Sequence, residues 1–132
     1  MLAFLQRFRK ATTQSGEAPP RQEAGPLARF VLRVGNTSVG TLTRTPMVWR
    51  WEYTPEFAAQ TTLRAIPSFP DKTRVYESEI LWPFFAARLP NLKQPGLREL
   101  LERDRVSPDD QVEQLRRYGQ RSPTNPFTLQ AA

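Results

Sequence analysis

The sequence predicts an α+β domain, with a small antiparallel sheet of about four to five strands from the N-terminal half packed against short helices from the C-terminal half. Three stretches carry this prediction. Met47-Val-Trp-Arg-Trp-Glu-Tyr53 alternates apolar and polar residues with period two, the mark of a strand buried on one face. Gly35-Asn36 separates two strand-like runs with the residues a tight hairpin needs. Beyond Ser78 the pattern turns helical: Leu97, Leu100 and Leu101 fall at i, i+3 and i+4 behind Pro95-Gly96.

In chain order, residues 1–26 form an N-terminal extension. Leu2, Phe4, Leu5 and Phe8 sit at helical spacings with Arg7, Arg9 and Lys10 behind them, a short amphipathic segment too brief to hold a helix alone. ATTQSGEAPPRQEAGP (11–26) offers almost nothing to bury and is expected to be a flexible linker. The folded domain is expected over 27–130. Phe30, Leu32 and Val34 alternate with Val31 and Arg33, and after the Gly35-Asn36 turn Val39 to Thr43 returns. Gly40 in that strand signals a bulge or a close backbone approach. In the 47–53 strand Met47, Trp49, Trp51 and Tyr53 are expected to share the buried face. Thr54-Pro55-Glu56 opens a helical turn with Thr as N-cap and Pro at the first position. TTLRAI (61–66) is expected to be a fourth strand, and 67–73 a loop. Ser107-Pro108-Asp109-Asp110 starts a last helix that runs through Val112, Leu115 and Tyr118 to a stop at Gly119.

Composition narrows the chemistry. The 132 residues contain no cysteine and no histidine, which removes disulfides, thiolate metal sites and every histidine-based nucleophile or acid–base system. Gly35, Gly40, Gly96 and Gly119 are turn and helix-end residues, not a phosphate loop, and Asp109-Asp110 suits a helix first turn better than a metal site. The chain is therefore not expected to be an enzyme or to carry a cofactor. No apolar run is long enough to span a bilayer and no cleavage site follows MLAFLQRFRK, so a cytoplasmic protein without a membrane partner is expected. The net charge of +6 comes from nineteen basic residues, sixteen of them Arg, against thirteen acidic ones. Because the charges are scattered, direct nucleic-acid binding is not expected, and Trp49, Trp51 and Tyr53 are expected in the core instead of stacking on bases.

LWPFFAARLPN (81–91) is the stretch that points to a partner. Pro83 restricts Trp82 to an extended conformation and itself suits the first helical turn, so the helix should begin at Pro83 with Trp82 just outside it. Two roles fit Trp82: an anchor aimed at a partner, or a core residue between helix and sheet. Phe84 and Phe85 are expected to pack inward, Phe85 sharing a helix face with Leu89 and Leu81 or Phe84 covering the flank of that face. Arg88 is expected to be an exposed helix residue that could lend charge to the same contact.

VGTLTRTPMVWRWEY, LRAIPSFP, LWPFFAARLPN and GLRELLE, in this order, resemble the N-terminal subdomain of HipA-type serine/threonine kinase toxins over roughly 28–127, with NPFTL (125–129) resembling the segment before the kinase body. The glycine-rich loop and catalytic Asp loop of a kinase do not follow. The resemblance therefore implies a stand-alone, HipS-like antitoxin of a tripartite HipBST-type system, acting on a separate HipT-like kinase by docking on its N-lobe, with Trp82, Phe84 and Arg88 as partner-binding residues and a helix-turn-helix DNA-binding protein as a further member of the complex. Two other functions stay open: an accessory subunit that positions or activates the kinase, and a small basic nucleic-acid-binding module.

Overall fold

The computed structural model describes residues 26–90 and 95–132. The amphipathic segment and nearly all of the linker expected in 1–26 lie outside the described residues. Five strands form one antiparallel sheet: β1 (Ala28–Val34), β2 (Thr37–Arg44), β3 (Trp49–Tyr53), β4 (Tyr76–Ser78) and β5 (Thr128–Ala131), in the order β4-β3-β2-β1-β5. Four short helices accompany it: α1 (Pro55–Ala59), α2 (Pro83–Ala86), α3 (Leu97–Arg103) and α4 (Gln111–Tyr118). An α+β fold is thus what these residues adopt.

One face of the sheet is the core. Phe30 and Leu32 from β1, Leu42 from β2, Trp49, Trp51 and Tyr53 from β3 and Leu129 from β5 are all buried on it. Period-two alternation produces this directly, because neighbouring strands in register place their apolar residues on the same side: Phe30 pairs with Leu42, Leu42 with Trp51, and Leu32 with Leu129. The opposite face carries Arg50 and Glu52, both exposed, and Arg50 binds Glu77 of β4 at 2.6 Å.

The hairpin between β1 and β2 turns on Gly35 at φ +58°, while Asn36 keeps a negative φ, so one positive-φ residue serves where two were expected. The β1–β2 register slips at Leu32/Arg33, which pair with Gly40 and Ser38 and leave Val39 as the extra residue of a bulge. Beside it, Gly40 explains itself. A Cβ there would collide with Trp51 Cη2 and stand 2.6 Å from the Glu52 carbonyl oxygen, so the bare Cα makes room for the indole. Both features expected of Gly40 are present.

Several expectations are corrected. Met47 is 78% exposed, because the Thr45 hydroxyl accepts from Met47 N and Val48 N and holds 45–48 as a turn; β3 begins at Trp49. TTLRAI is no strand. Thr61 through Arg64 are all exposed, and side chains hold the segment as a loop: Gln60 bonds both the N–H and the carbonyl of Leu63, and Lys72 Nζ donates to the carbonyls of Gln60 and Leu63. The fourth strand is instead Tyr76–Ser78, and the fifth, Thr128–Ala131, lies beyond Ser78 where helix alone was expected. The last helix starts at Gln111 with Asp110 as its cap, accepting from Glu113 N, whereas Ser107 caps only the preceding turn through Asp109 N. Thr54 and Pro55 open α1 as expected, the Thr54 hydroxyl accepting from Phe57 N.

α3 ends in a Schellman motif built on a residue other than glycine. Arg105 takes φ +58°, Val106 N bonds to Leu101 O at 2.9 Å and Arg105 N to Glu102 O at 3.1 Å, with Val106 and Leu101 both buried.

Candidate partner-binding surface

The surface around Trp82 is built outward from Phe69. Phe69 is fully buried, stacks on Trp51 at 5.3 Å, and is pinned through its backbone: Tyr53 Oη donates to the Phe69 carbonyl at 2.6 Å and accepts from Ile66 N at 2.9 Å. Burial pushes the Tyr53 phenol above its ordinary pKa, so the hydroxyl stays a donor. The loop that the sequence left unexplained is thus nailed to β3 by one buried phenol.

Three partly buried aromatics surround this hub. Tyr76 meets it edge-on at 5.2 Å, Trp82 edge-on at 5.2 Å and Phe84 at 6.4 Å. Trp82 is the N-cap residue of α2, extended at φ −61° and ψ 146°, and its carbonyl accepts from Phe85 N and Ala86 N at 2.9 Å each. Pro83 imposes this arrangement, as expected from its position. Phe85 points inward, fully buried against Trp51, while Trp82 and Phe84 are each half-buried. Of the two roles weighed for Trp82, the structure shows the packing one in part: its indole packs edge-on against Phe69 and stays partly exposed. Phe84 packs toward the core as expected, edge-on to Phe85 at 5.1 Å and to Phe127 at 5.9 Å, while staying partly exposed.

Arg88 contradicts its expectation. It is 5% exposed, and its guanidinium donates to the carbonyls of Gly119, Gln120 and Phe127 and to Asn125 Oδ1 at 3.0–3.3 Å. Burial lowers its pKa below the ordinary arginine value. The physical reason is that 119–127 must cross from α4 to β5, and Arg88 donates to the carbonyls of Gly119 and Phe127 and adds a second donor to that of Gln120, which Leu129 N also reaches. Arg88 is a brace inside the domain, not a contact residue.

Sequence reasoning missed Phe69, Tyr76 and Phe127, as well as the exposed Val75 (48%) and Ile80 (78%) that flank β4. The Pro-flanked Phe69 in IPSFP was the available signal: an aromatic in a loop has to bury itself somewhere. Trp49, Trp51 and Tyr53 are all buried, which leaves none of them free to stack on bases. The open face of the sheet holds instead a groove of mixed character, lined by Arg29, Thr41, Arg50, Glu52 and Glu77 together with Pro46, Met47 and Val48. Among the described residues no cluster of acidic side chains could hold a metal ion, and no helix is long and apolar enough to cross a membrane.

No curated protein matches the chain. The family model for the HipA N-terminal domain matches residues 31–123, a span that runs from β1 through α4 and includes Trp82, Phe84 and Arg88. On that match, and with the fold described above, the chain belongs to the HipA N-terminal domain family.

Proposed function

We propose that this domain is an antitoxin that docks on the N-lobe of a separate HipA-like serine/threonine kinase and neutralises it, acting by binding and not by catalysis. Membership of the family links the chain to HipA-related toxin–antitoxin systems and to a HipA-like partner. The observation that carries the finer reading is the state of Trp82: a large aromatic that stays partly exposed at the surface, yet is fixed by Pro83 at its backbone and by Phe69 against its ring. An anchor held in place before binding loses little rotamer freedom when it docks, and interfaces draw most of their affinity from a few such aromatics. Phe84 widens the apolar contact beside it, and Arg88 contributes only by bracing the segment under Phe84.

The test is a phosphoryl-transfer assay of a HipA-like kinase that lacks this domain, taken from the same organism and titrated with the purified domain. Activity is expected to fall to background at equimolar domain. A rise in activity with added domain would replace neutralisation by the role of an accessory, activating subunit.

A further inference from the structure

Trp82 does not stand on a neutral surface. Arg74 lies over the ring of Tyr76, 5.3 Å from its centroid, and Tyr76 shares the Phe69 hub with Trp82, so a guanidinium borders the aromatic surface. Arg74 makes no ion pair among the described residues. Asp71, whose carboxyl is held below its ordinary pKa mainly by Thr73 and only slightly by the charge of Arg74, has one oxygen taken by Thr73, which donates from its N–H at 2.9 Å and from its hydroxyl at 2.7 Å. Lys72 extends the same edge. Its ammonium sits over Phe57 and ties the 60–63 loop to this one through the carbonyls of Gln60 and Leu63, which brings in the exposed Arg64 that follows. Three cations and a single carboxylate therefore occupy the two loops, whereas the sheet side of β4 has its own charges matched by the Arg50–Glu77 pair.

From this asymmetry we infer that the surface fits a partner face with an apolar socket for Trp82 and carboxylates on one rim, met by Arg74 and Arg64. This rests on the docking reading above and gives the kinase face its chemistry. An arginine stacked on an aromatic is already oriented and weakly hydrated, so it can meet a carboxylate at the margin of a contact at small cost. Charges placed at a rim act mainly on encounter: they raise the association rate and make it depend on salt, while a desolvated aromatic centre governs dissociation.

The two loops are tested by following association of the full chain with the HipA-like kinase at about 0.05 M and about 0.5 M salt. The double variant Arg64→Glu/Arg74→Glu is expected to associate about tenfold more slowly at low salt and to lose most of its salt dependence, while Arg64→Lys/Arg74→Lys keeps the parent rate. Trp82→Ala is expected to act chiefly by faster dissociation. Far-ultraviolet circular dichroism of each variant checks that it has folded. If the charge-reversed variant associates at the parent rate with the parent salt dependence while Trp82→Ala still weakens binding, the acidic-rim inference falls and docking stands. If the parent chain does not bind the kinase, both fall.

Discussion

Replacing Arg88 with methionine keeps most of the side chain's apolar stem and removes the guanidinium, and its cost can be worked contact by contact. Four acceptors lose a donor: the carbonyls of Gly119, Gln120 and Phe127, and Asn125 Oδ1. Two of these keep another partner, since Leu129 N donates to Gln120 O and Phe127 N to Asn125 Oδ1. The Gly119 and Phe127 carbonyls lose their guanidinium donor with Gly119 buried and Phe127 half-buried, at about 1–2 kcal/mol each. Against this, the variant no longer buries a charge whose Nε has no partner. The net loss expected is about 2–3 kcal/mol, a large share of the roughly 5–15 kcal/mol that holds a domain folded. In urea unfolding followed by circular dichroism, that loss lowers the midpoint by about 1–2 M for a chain of this size. Arg88→Lys, which keeps the charge without the fork, is expected to fall between methionine and the parent. A methionine variant within about 0.5 kcal/mol of the parent would refute the bracing role.

Other expected outcomes follow the same physics. Gly40→Ala forces a methyl against the buried Trp51 indole and the Glu52 carbonyl, neither free to move, and is expected to cost about 2–3 kcal/mol in the same unfolding assay. Tyr53→Phe removes the hydroxyl that bridges Phe69 O and Ile66 N and is expected to cost about 1–3 kcal/mol, with hydrogen exchange quickening in the 66–70 loop before the sheet. Arg105→Gly relieves a left-handed residue at the end of α3 and is expected to stabilise by about 0.5–1 kcal/mol; a loss would show that the arginine side chain matters more than its backbone strain. On the acid side, the Tyr118 hydroxyl bonded to Asp104 at 2.5 Å and the Arg117 and Arg116 guanidiniums beside Glu113 hold both carboxyls below their ordinary pKa. Depressed carboxyl pKa values give stability that is present above the unfolded-state value and lost as pH falls through the folded one. The urea midpoint is therefore expected to drop as pH falls below about 4.5, and less steeply in Asp104→Asn/Glu113→Gln.

What was legible beforehand follows a physical rule. The alternation of Trp49, Trp51 and Tyr53, the turn at Gly35, the cap at Thr54 and the boundary at Trp82-Pro83 are local codes, each spelled by residues within a few positions of one another. The structure contains all of them. β4 and β5 were not legible because three or four residues carry no periodicity; they are strands only because β3 and β1 present unpaired edges to them, the partners of β5 lying some hundred residues earlier. Thr61 to Ile66 has strand-like composition, yet Gln60, Lys72 and Tyr53 claim its backbone groups first. Arg88 looked like a surface residue for the same reason: its acceptors are thirty to forty positions away. For the candidate site, the sequence located Trp82 and its separation from the helix, but not Phe69, the hub that determines how much of Trp82 remains outside.

The proposed function requires the partly exposed Trp82 to anchor this domain to a HipA-like kinase and thereby silence it. Its most direct test is growth of cells co-expressing that kinase with either the parent domain or Trp82→Ala, with affinity measured on the purified pair. Losing the packing on Phe69 should leave the domain folded at a cost of about 1–2 kcal/mol, while binding weakens by about 2–4 kcal/mol, roughly 30- to 1000-fold. The parent domain is expected to restore growth and the folded Trp82→Ala domain is not. A folded Trp82→Ala domain that binds as tightly as the parent and restores growth at equal dose would contradict it.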